Sequence, residues 1–554
     1  MATVADVMAA TLRDLGVTRM FGLPGGEILD FIDAARRLGI RFFLTRREAT
    51  ASFMADAAGQ LEHRPGVCVA TLGPGAVNMV LGVANAYLDR SPVLAITASL
   101  AGSVAPYSTH QNLDLNAVYR PFTKATCTLD GRGTAAAVRH AWRVALEPRM
   151  GPVHLALPSD VARREDQGTA GDRDADVSVP PTQPPRPEDI ERIACELRAA
   201  RRPVVILGLD LAPYPPSRAL TAFVEKLGVP VFVAPKAKGA LPESHPLFYG
   251  VCAGVAADHV IVDFFRKADL LVGIGYDPVE SNRIWHQTMK LVSIGPLSIA
   301  ADAYRPHAEC VGDVDRTLDG LRAREFGPFE WRNEELQQLR ADIEESLRPR
   351  ALRAEGGANS APTTTRTRGV SPTDLTRRLR ELMPPETIVT TDVGAVKFIM
   401  SQAFAVERPM TFLQSNGLSS MGFAFPGAMA AKLVHPERPV LCTVGDGGFG
   451  MSLAEVETCV REGIRFVTVV FNDRQLSLIQ VSQQNKGLPQ AAVEYGEVDF
   501  AAAATALGAV GFKVESMRDL DAAVHAAIRA DRLAVVDVQV DPTEYLSQTK
   551  PCDL

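Results

Sequence analysis

The residues of greatest chemical interest lie in Val440-Leu441-Cys442-Thr443-Val444-Gly445-Asp446-Gly447-Gly448-Phe449-Gly450. This run reads as a short apolar strand entering a glycine-rich turn. A helix is expected over Ser452 to Arg461, then a second apolar strand over Phe466 to Phe471 that ends on Asn472-Asp473. A βαβ unit of this kind brings backbone N–H groups toward an anion at a helix N-terminus. Two chemistries compete for it. Gly445 to Gly450 satisfies G-x-G-x-x-G, and Asp473 lies 28 positions after Gly445, about where a dinucleotide site wants an acid. Alternatively, Asp446 and Asn472 are oxygen ligands of a hard cation that grips a diphosphate. Mg²⁺ keeps few protein ligands and leans on substrate phosphates, so a carboxylate, an amide oxygen and a backbone carbonyl suffice. The stretch alone leaves both readings open.

The elements that must position these residues alternate between helix and strand. In the first block, Val4 to Leu15 has helical spacing, and Arg19 to Gly22 is a strand leading into Leu23-Pro24-Gly25-Gly26. A helix is expected from Glu27 to Leu38 and a strand from Arg41 to Thr45. Arg46-Arg47-Glu48 then opens a helix of small residues, Ala49 to Gln60. Gly66 to Thr71 is a buried strand ending in Leu72-Gly73-Pro74-Gly75-Ala76, with a helix through Asn78 to Tyr87. Pro92 to Thr97 and Val153 to Leu157 are further strands. Such alternation predicts parallel, doubly wound sheets covered on both faces. Pro203 to Leu207, Val229 to Val233 and Leu270 to Ile274 are strands of a second block, and the opening stretch belongs to a third.

The resulting division is an α/β block over 1–163, a charged, Pro-rich linker over 164–189 and a central α/β block over 190–345. A second linker of low apolar content covers 346–371, a third α/β block 372–545 and a polar tail 546–554. The first and third blocks both place a glycine turn after a buried strand, which suggests related architectures, although no clear repeat is visible. At 554 residues the usual size prior gives about three to four domains. With 46% hydrophobic and 22% charged residues the composition is that of a globular protein, and a net charge of -7 argues against nucleic-acid or anionic-membrane surfaces. No signal peptide or membrane span is visible. The eight scattered cysteines form no C-x-x-C pair, so free thiols in a reducing, cytoplasmic setting are expected.

Gly445-Asp446-Gly447 followed by Asn472, 26 residues after Asp446, resembles the signature of thiamine-diphosphate-dependent enzymes. The resemblance covers nearly the whole chain. Phe21-Gly22-Leu23-Pro24-Gly25-Gly26, Leu72-Gly73-Pro74-Gly75-Ala76-Val77-Asn78 and Ser415-Asn416-Gly417-Leu418-Ser419-Ser420-Met421-Gly422-Phe423 look like the acetolactate synthase branch. It implies pyrimidine-binding, central and diphosphate-binding domains. It also implies thiamine diphosphate with Mg²⁺, and decarboxylation of a pyruvate-like 2-oxo acid with carboligation to a second carbonyl. The alternatives are a simple 2-oxo acid decarboxylase, or an acyltransferase similar to sulfoacetaldehyde acetyltransferase. An NAD(P)-dependent oxidoreductase is a remote one. A homodimer or homotetramer with the site at the subunit interface is implied, and no nucleic-acid or membrane partner is expected.

The resemblance also assigns roles. Glu48 is the glutamate that bonds the aminopyrimidine ring and favours its imino tautomer; Ala49, Ala51 and Phe53 suggest a poorly hydrated pocket, where a carboxyl shares a proton readily. Asp446, the Asn472 side chain and the Arg474 carbonyl are the implied Mg²⁺ ligands. Gly445, Gly447, Gly448 and Gly394 lie where the diphosphate is held, and Met421 is the wedge that keeps the cofactor bent. Gly25 and Gly73 let backbone approach the cofactor, and Asn78, Ser419, Leu476, Ser477 and Leu478 are further expected contacts. Gln111 is retained from an aromatic-Gln pair near the substrate, with His110 replacing the aromatic, and both are candidate catalytic residues.

Several positions depart from the branch. Leu478 and Ser482 stand where biosynthetic acetolactate synthases carry a methionine and a tryptophan. Ala395 and Val396 replace a glutamine and a histidine, and Ser159 replaces a lysine. Gly275-Tyr276-Asp277-Pro278-Val279-Glu280 looks more like the catabolic, flavin-free synthases, and Leu207-Gly208-Leu209-Asp210 lacks a flavin's glycine cluster, so FAD is not expected. These departures leave cofactor activation intact and the substrate pair open.

Overall fold

The structure is a computed structural model that describes residues 2–168, 171–172, 176–211, 217–252, 258–280, 290–301, 305–348 and 369–545. Most of the second linker, part of the first and the tail 546–554 lie outside the described residues. The chain divides into two compact units. One comprises Met1–Pro181, Ser415–Glu437 and Met451–Arg465; the other comprises Thr182–Gln414, Arg438–Gly450 and Phe466–Leu554.

The first unit is built on one parallel sheet of six strands: β1 (Arg19–Leu23), β2 (Arg41–Leu44), β3 (Gly66–Ala70), β4 (Val93–Ser99), β5 (Ala125–Thr128) and β6 (Pro152–Pro158). Their spatial order is β2-β1-β3-β4-β6-β5. β3 and β6 are buried along their whole length, the near-continuous apolar pattern of a sheet covered on both faces. The opening helix, Val4–Asp14, is fixed by a capping box in which Thr3 and Asp6 satisfy each other's backbone N–H groups. Helix Glu48–Glu62 is buried through Leu61, because its alanines and Gly59 let neighbours approach from every side.

The second unit holds two more parallel sheets. The central one contains β7 (Pro203–Leu207), β8 (Val231–Val233), β9 (Phe248–Val251), β10 (Leu270–Ile274), β11 (Lys290–Gly295) and β12 (Ala308–Val311), ordered β12-β11-β10-β7-β8-β9. The last contains β13 (Ile388–Thr391), β14 (Phe412–Gln414), β15 (Val440–Gly445), β16 (Val467–Asn472), β17 (Val510–Val514) and β18 (Ala534–Gln539), ordered β14-β13-β15-β16-β18-β17. First and last sheets therefore share one topology, the relation suggested by their glycine turns.

One local expectation is corrected. The glycine-rich stretch after β15 is not an open turn followed by a helix from Ser452 to Arg461. Asp446–Ser452 is itself helical, Leu453 and Ala454 break it, and a second helix runs over Glu455–Glu462. Three glycines in seven residues hide that helix from propensity, since glycine costs about 1 kcal/mol against alanine in a helix interior.

Candidate active site

Open α/β sheets bind ligands beyond the carboxyl ends of their strands, where the strand order reverses. In the first unit that point lies between β1 and β3, and the loops leaving it are Pro24-Gly25 and Thr71-Leu72-Gly73. Glu48 begins its helix four residues after β2 and is 7% exposed. Its Oε2 accepts the Asn78 side-chain N–H at 2.5 Å, a charge-assisted bond. Asn78 lies near the start of helix Pro74–Leu88, which Gly73 caps with φ +58°. A Cβ on Gly73 would fall 2.8 Å from the Cβ of Gln111, which itself has φ +55°. Glu48, Asn78, Gly73 and Gln111 thus form one cluster, with Gly75 turning bare backbone toward Glu48 Oε1. Gly25 packs against Thr71, whose hydroxyl donates to Glu27 at 2.8 Å. The His110 side chain is exposed, and its carbonyl accepts from the Ser108 hydroxyl at 3.3 Å.

Met421 and Ser419 belong to the same unit. Met421 is half-buried; Ser419 is exposed with φ +54°, and its hydroxyl donates to the Asn416 carbonyl at 2.8 Å. A buried polar network ties their loop to the two helices of the cluster. Asp89 accepts the Gly417 N–H at 2.7 Å and the Asn416 N–H at 3.2 Å. Ser415 donates to Asn85 Oδ1 at 2.5 Å, and the Asn85 amide donates to Asp56 at 2.7 Å. Gln60 supplies Asp56 with a second donor at 2.7 Å. Buried carboxylates are tolerated because each accepts several hydrogen bonds.

In the second unit the corresponding point lies between β13 and β15. Gly394, with φ +119°, caps helix Ala395–Ala403 after β13, and Asp446 follows β15 directly. The ladder pairs Gly445 with Phe471, so Asp446 and Asn472, one residue on, lie side by side at the carboxyl ends of β15 and β16. Asp446 accepts the Gly447 N–H at 2.8 Å and the Arg474 and Gln475 N–H groups as well. Burial pushes its carboxyl up to about 6; burial and then the Asp446 charge push Asp473 up to about 7. The Asn472 amide N–H donates to Asp537 at 2.9 Å and to the Val498 carbonyl at 3.2 Å, which leaves Oδ1 as its free polar atom. Asp537 is held in turn by the Phe500 N–H at 2.9 Å.

Arg474 has φ +62°, and its carbonyl accepts the Tyr495 N–H at 2.7 Å with one lone pair to spare. Asp446, Asn472 Oδ1 and the Arg474 carbonyl are hard oxygen donors, and the Asp446 charge bears on a second acid, Asp473, a set that fits Mg²⁺. Among the described residues no cluster of three or more His, Cys, Asp or Glu could hold a metal. At Gly448 a Cβ would lie 1.8 Å from Asp392 Oδ2, so no side chain fits. Leu476 and Leu478 are half-buried, and Ser477 is buried with its hydroxyl donating to Asp473. Asp473, the acid of the dinucleotide reading, is thereby bonded within its own turn.

The central sheet has the strand order of a dinucleotide-binding fold, with its switch point between β7 and β10. That point is filled from within: the buried Glu280 carboxyl accepts the Leu209 N–H at 2.7 Å and the Asp277 N–H at 3.2 Å. Sequence reasoning missed Asp537, Asp89 and the Asn85–Asp56 pair. Their partners lie tens to hundreds of residues away, and no local spacing marks them.

Comparison with known proteins agrees with this geometry. Residues 2–118 match the model of the Thiamine pyrophosphate enzyme, N-terminal TPP binding domain; 190–321 match its central domain and 392–538 its C-terminal TPP binding domain. The chain is 29% identical to "Acetolactate synthase" of Bacillus subtilis (strain 168), covering 98% of this chain and 94% of the relative. It is 30% identical to "Acetolactate synthase, catabolic" of Raoultella terrigena, covering 97% and 95%. It is also 30% identical to "Probable acetolactate synthase large subunit" of Methanocaldococcus jannaschii, covering 99% and 93%. Sheets, turns and full-length similarity lead to one conclusion: the chain belongs to the thiamine pyrophosphate enzymes, in their acetolactate synthase-like branch.

Proposed function

We propose that this enzyme decarboxylates a pyruvate-like 2-oxo acid and joins the remaining acyl unit to a second carbonyl, as an acetolactate synthase does. The observation that carries this reading is the pairing of Gly445 with Phe471, beside full-length similarity to a catabolic acetolactate synthase. Thiamine diphosphate, when bound, supplies a carbon nucleophile and a sink for the electrons released with CO₂. The chain's own residues do the rest. Asp446, Asn472 and the Arg474 carbonyl hold Mg²⁺, while Gly394, Gly445, Gly447 and Gly448 present backbone to the diphosphate. Leu476, Ser477 and Leu478 flank it. Glu48, oriented by Asn78, holds the proton shared with the pyrimidine ring. Gly25, Gly73, Ser419 and Met421 shape the cofactor's bed, and Gln111 with His110 faces the substrate.

The domain boundaries proposed are 1–163, 190–345 and 372–545, joined by linkers over 164–189 and 346–371. No flavin is proposed in the central domain, because the Glu280 carboxyl takes the backbone N–H groups a nucleotide would need at that switch point. A cytoplasmic homodimer or homotetramer, with the site completed by a second subunit, is part of the same reading. No helix among the described residues is long and apolar enough to cross a membrane.

Calorimetry with Mg²⁺ and an incubation with pyruvate test the reading together. Thiamine diphosphate should bind only with the metal, and Asp446→Ala should abolish that binding. Acetolactate should form from pyruvate. Acetaldehyde instead would establish a simple decarboxylase, and normal cofactor affinity in Asp446→Ala would remove the metal assignment.

A further inference from the structure

The helix that carries Glu48 has no cap of its own. Arg47 occupies the cap position and makes no side-chain bond to the first turn. The two residues that lead into the helix are held by a carboxylate more than four hundred residues later in the chain. Glu455, 1% exposed, takes the Arg46 N–H on its two carboxylate oxygens at 3.0 and 3.2 Å. The same carboxylate accepts from the Arg47 N–H and the Thr50 hydroxyl, and from Thr458 at 2.7 Å.

Helix Glu455–Glu462 also holds β2 and the loop after it at three other points. Glu462 pairs with Arg41 at 2.6 Å, Glu457 pairs with Arg46 at 2.6 Å, and Arg461 donates to the Leu44 carbonyl at 2.7 Å. Exposed ion pairs contribute little to stability, so the buried Glu455 bonds are the ones that fix geometry. A serine or aspartate at position 47 would have capped the helix without burying a second carboxylate. Burial indeed pushes the Glu455 carboxyl up, against its donors. Glu455 also follows Gly450 by five residues. The glycine-rich helix after β15 and the carboxylate that holds the entry to the Glu48 helix are therefore neighbouring parts of one chain segment.

We propose that Glu455 is the positioning residue for Glu48: it clamps the first turn of helix Glu48–Glu62 so that the Glu48 carboxyl is presented in one orientation, against the Asn78 amide. This rests on Glu48 being the proton-relay glutamate. A misplacement of about 1 Å can cost about a hundredfold in rate, so loosening the turn should slow proton transfer more than it weakens binding.

The test uses the intact enzyme loaded with thiamine diphosphate and Mg²⁺, and reads C2 proton–deuterium exchange by NMR, cofactor Kd, KM, kcat and the thermal midpoint. Glu48→Gln comes first, and it should slow exchange by orders of magnitude. Glu455→Gln keeps the shape but turns an amide N–H₂ toward N–H donors. It should slow exchange and kcat by about tenfold or more, with KM and cofactor Kd within about twofold. Thr50→Val, which removes one donor to Glu455, should act in the same direction more weakly, and it decides the matter if Glu455→Gln does not fold. Normal exchange in Glu48→Gln would overturn the Glu48 reading, and this proposal with it. Slow exchange in Glu48→Gln with normal exchange in folded Glu455→Gln or Thr50→Val would overturn the positioning role alone.

Discussion

His154 sits in the middle of β6, fully buried, where the surrounding strand is otherwise apolar. Its ring lies between two hydroxyls, Thr97 at 2.9 Å from Nε2 and Thr126 at 2.8 Å from Nδ1, and stacks on Tyr119 at 4.0 Å. Thr126 gives its own proton to Asn116 at 2.6 Å, so Nδ1 carries the ring proton and Nε2 accepts from Thr97. Burial pushes the imidazole down to about 3 from an ordinary 6.5. Between those values the unfolded chain binds a proton that the fold refuses. Stability therefore falls as pH falls through that window, by at most about 1.4 kcal/mol per pH unit. The variant His154→Gln, neutral at every pH, should lower the thermal midpoint at pH 7 yet lose less than the wild type between pH 7 and pH 5. Parallel pH curves for the two proteins would rule this out. Glu48, Asp446 and Asn472 could be singled out as candidates because each belongs to a local sequence motif. His154, Asp537 and Glu455 were not, because what makes each of them matter is a partner distant in sequence.

At the scale of elements, apolar runs were a reliable guide wherever a strand is buried on both faces: Pro203 to Leu207 and Leu270 to Ile274 are β7 and β10 to the residue. Short strands at the edges and the glycine-rich helix Asp446–Ser452 carry weaker patterns and were placed less well. Helix pairing was not legible at all, since it depends on how closely two backbones approach. Helices Glu48–Glu62 and Pro74–Leu88 meet at Gly82, where a Cβ would stand 2.3 Å from Ser52 Oγ and 2.7 Å from the Phe53 nitrogen. Ser52 cannot swing away freely, because its hydroxyl donates to the Ala49 carbonyl at 3.0 Å. Gly82→Ala should therefore cost about 1–3 kcal/mol through overpacking. The thermal midpoint should drop by roughly 2–4 °C for each of those kcal/mol. Asn78 lies one turn before Gly82 and bonds Glu48, so kcat should fall as well. Gly102→Ala, where a Cβ meets open space, should leave the midpoint unchanged. An equal, small effect from both substitutions would mean that the helices part without cost.

At the scale of the whole molecule, the sequence blocks and the compact units differ in membership. Ser415–Glu437 and Met451–Arg465 fall in the third block of the sequence but pack within the first unit, as the Phe53–Phe423 contact at 5.8 Å illustrates. Linear order cannot reveal this, because it is decided by which apolar faces meet. The first unit also leaves apolar side chains outward beside Glu48. Val77 and Leu81 lie one helical turn apart on Pro74–Leu88 and are 47% and 42% exposed. Residues four apart share one face of a helix, so the two form a continuous apolar stripe flanking Asn78. The stripe is a place to test the subunit contact of the proposed assembly. On the proposed dimer or tetramer, Leu81→Glu should give monomers in sedimentation velocity and remove activity with pyruvate, while circular dichroism stays unchanged. Raising the protein concentration should restore part of the activity, because mass action favours the assembled form. A variant that sediments like the wild type and keeps its activity would remove this stripe from the proposed subunit contact and leave it as an ordinary exposed face.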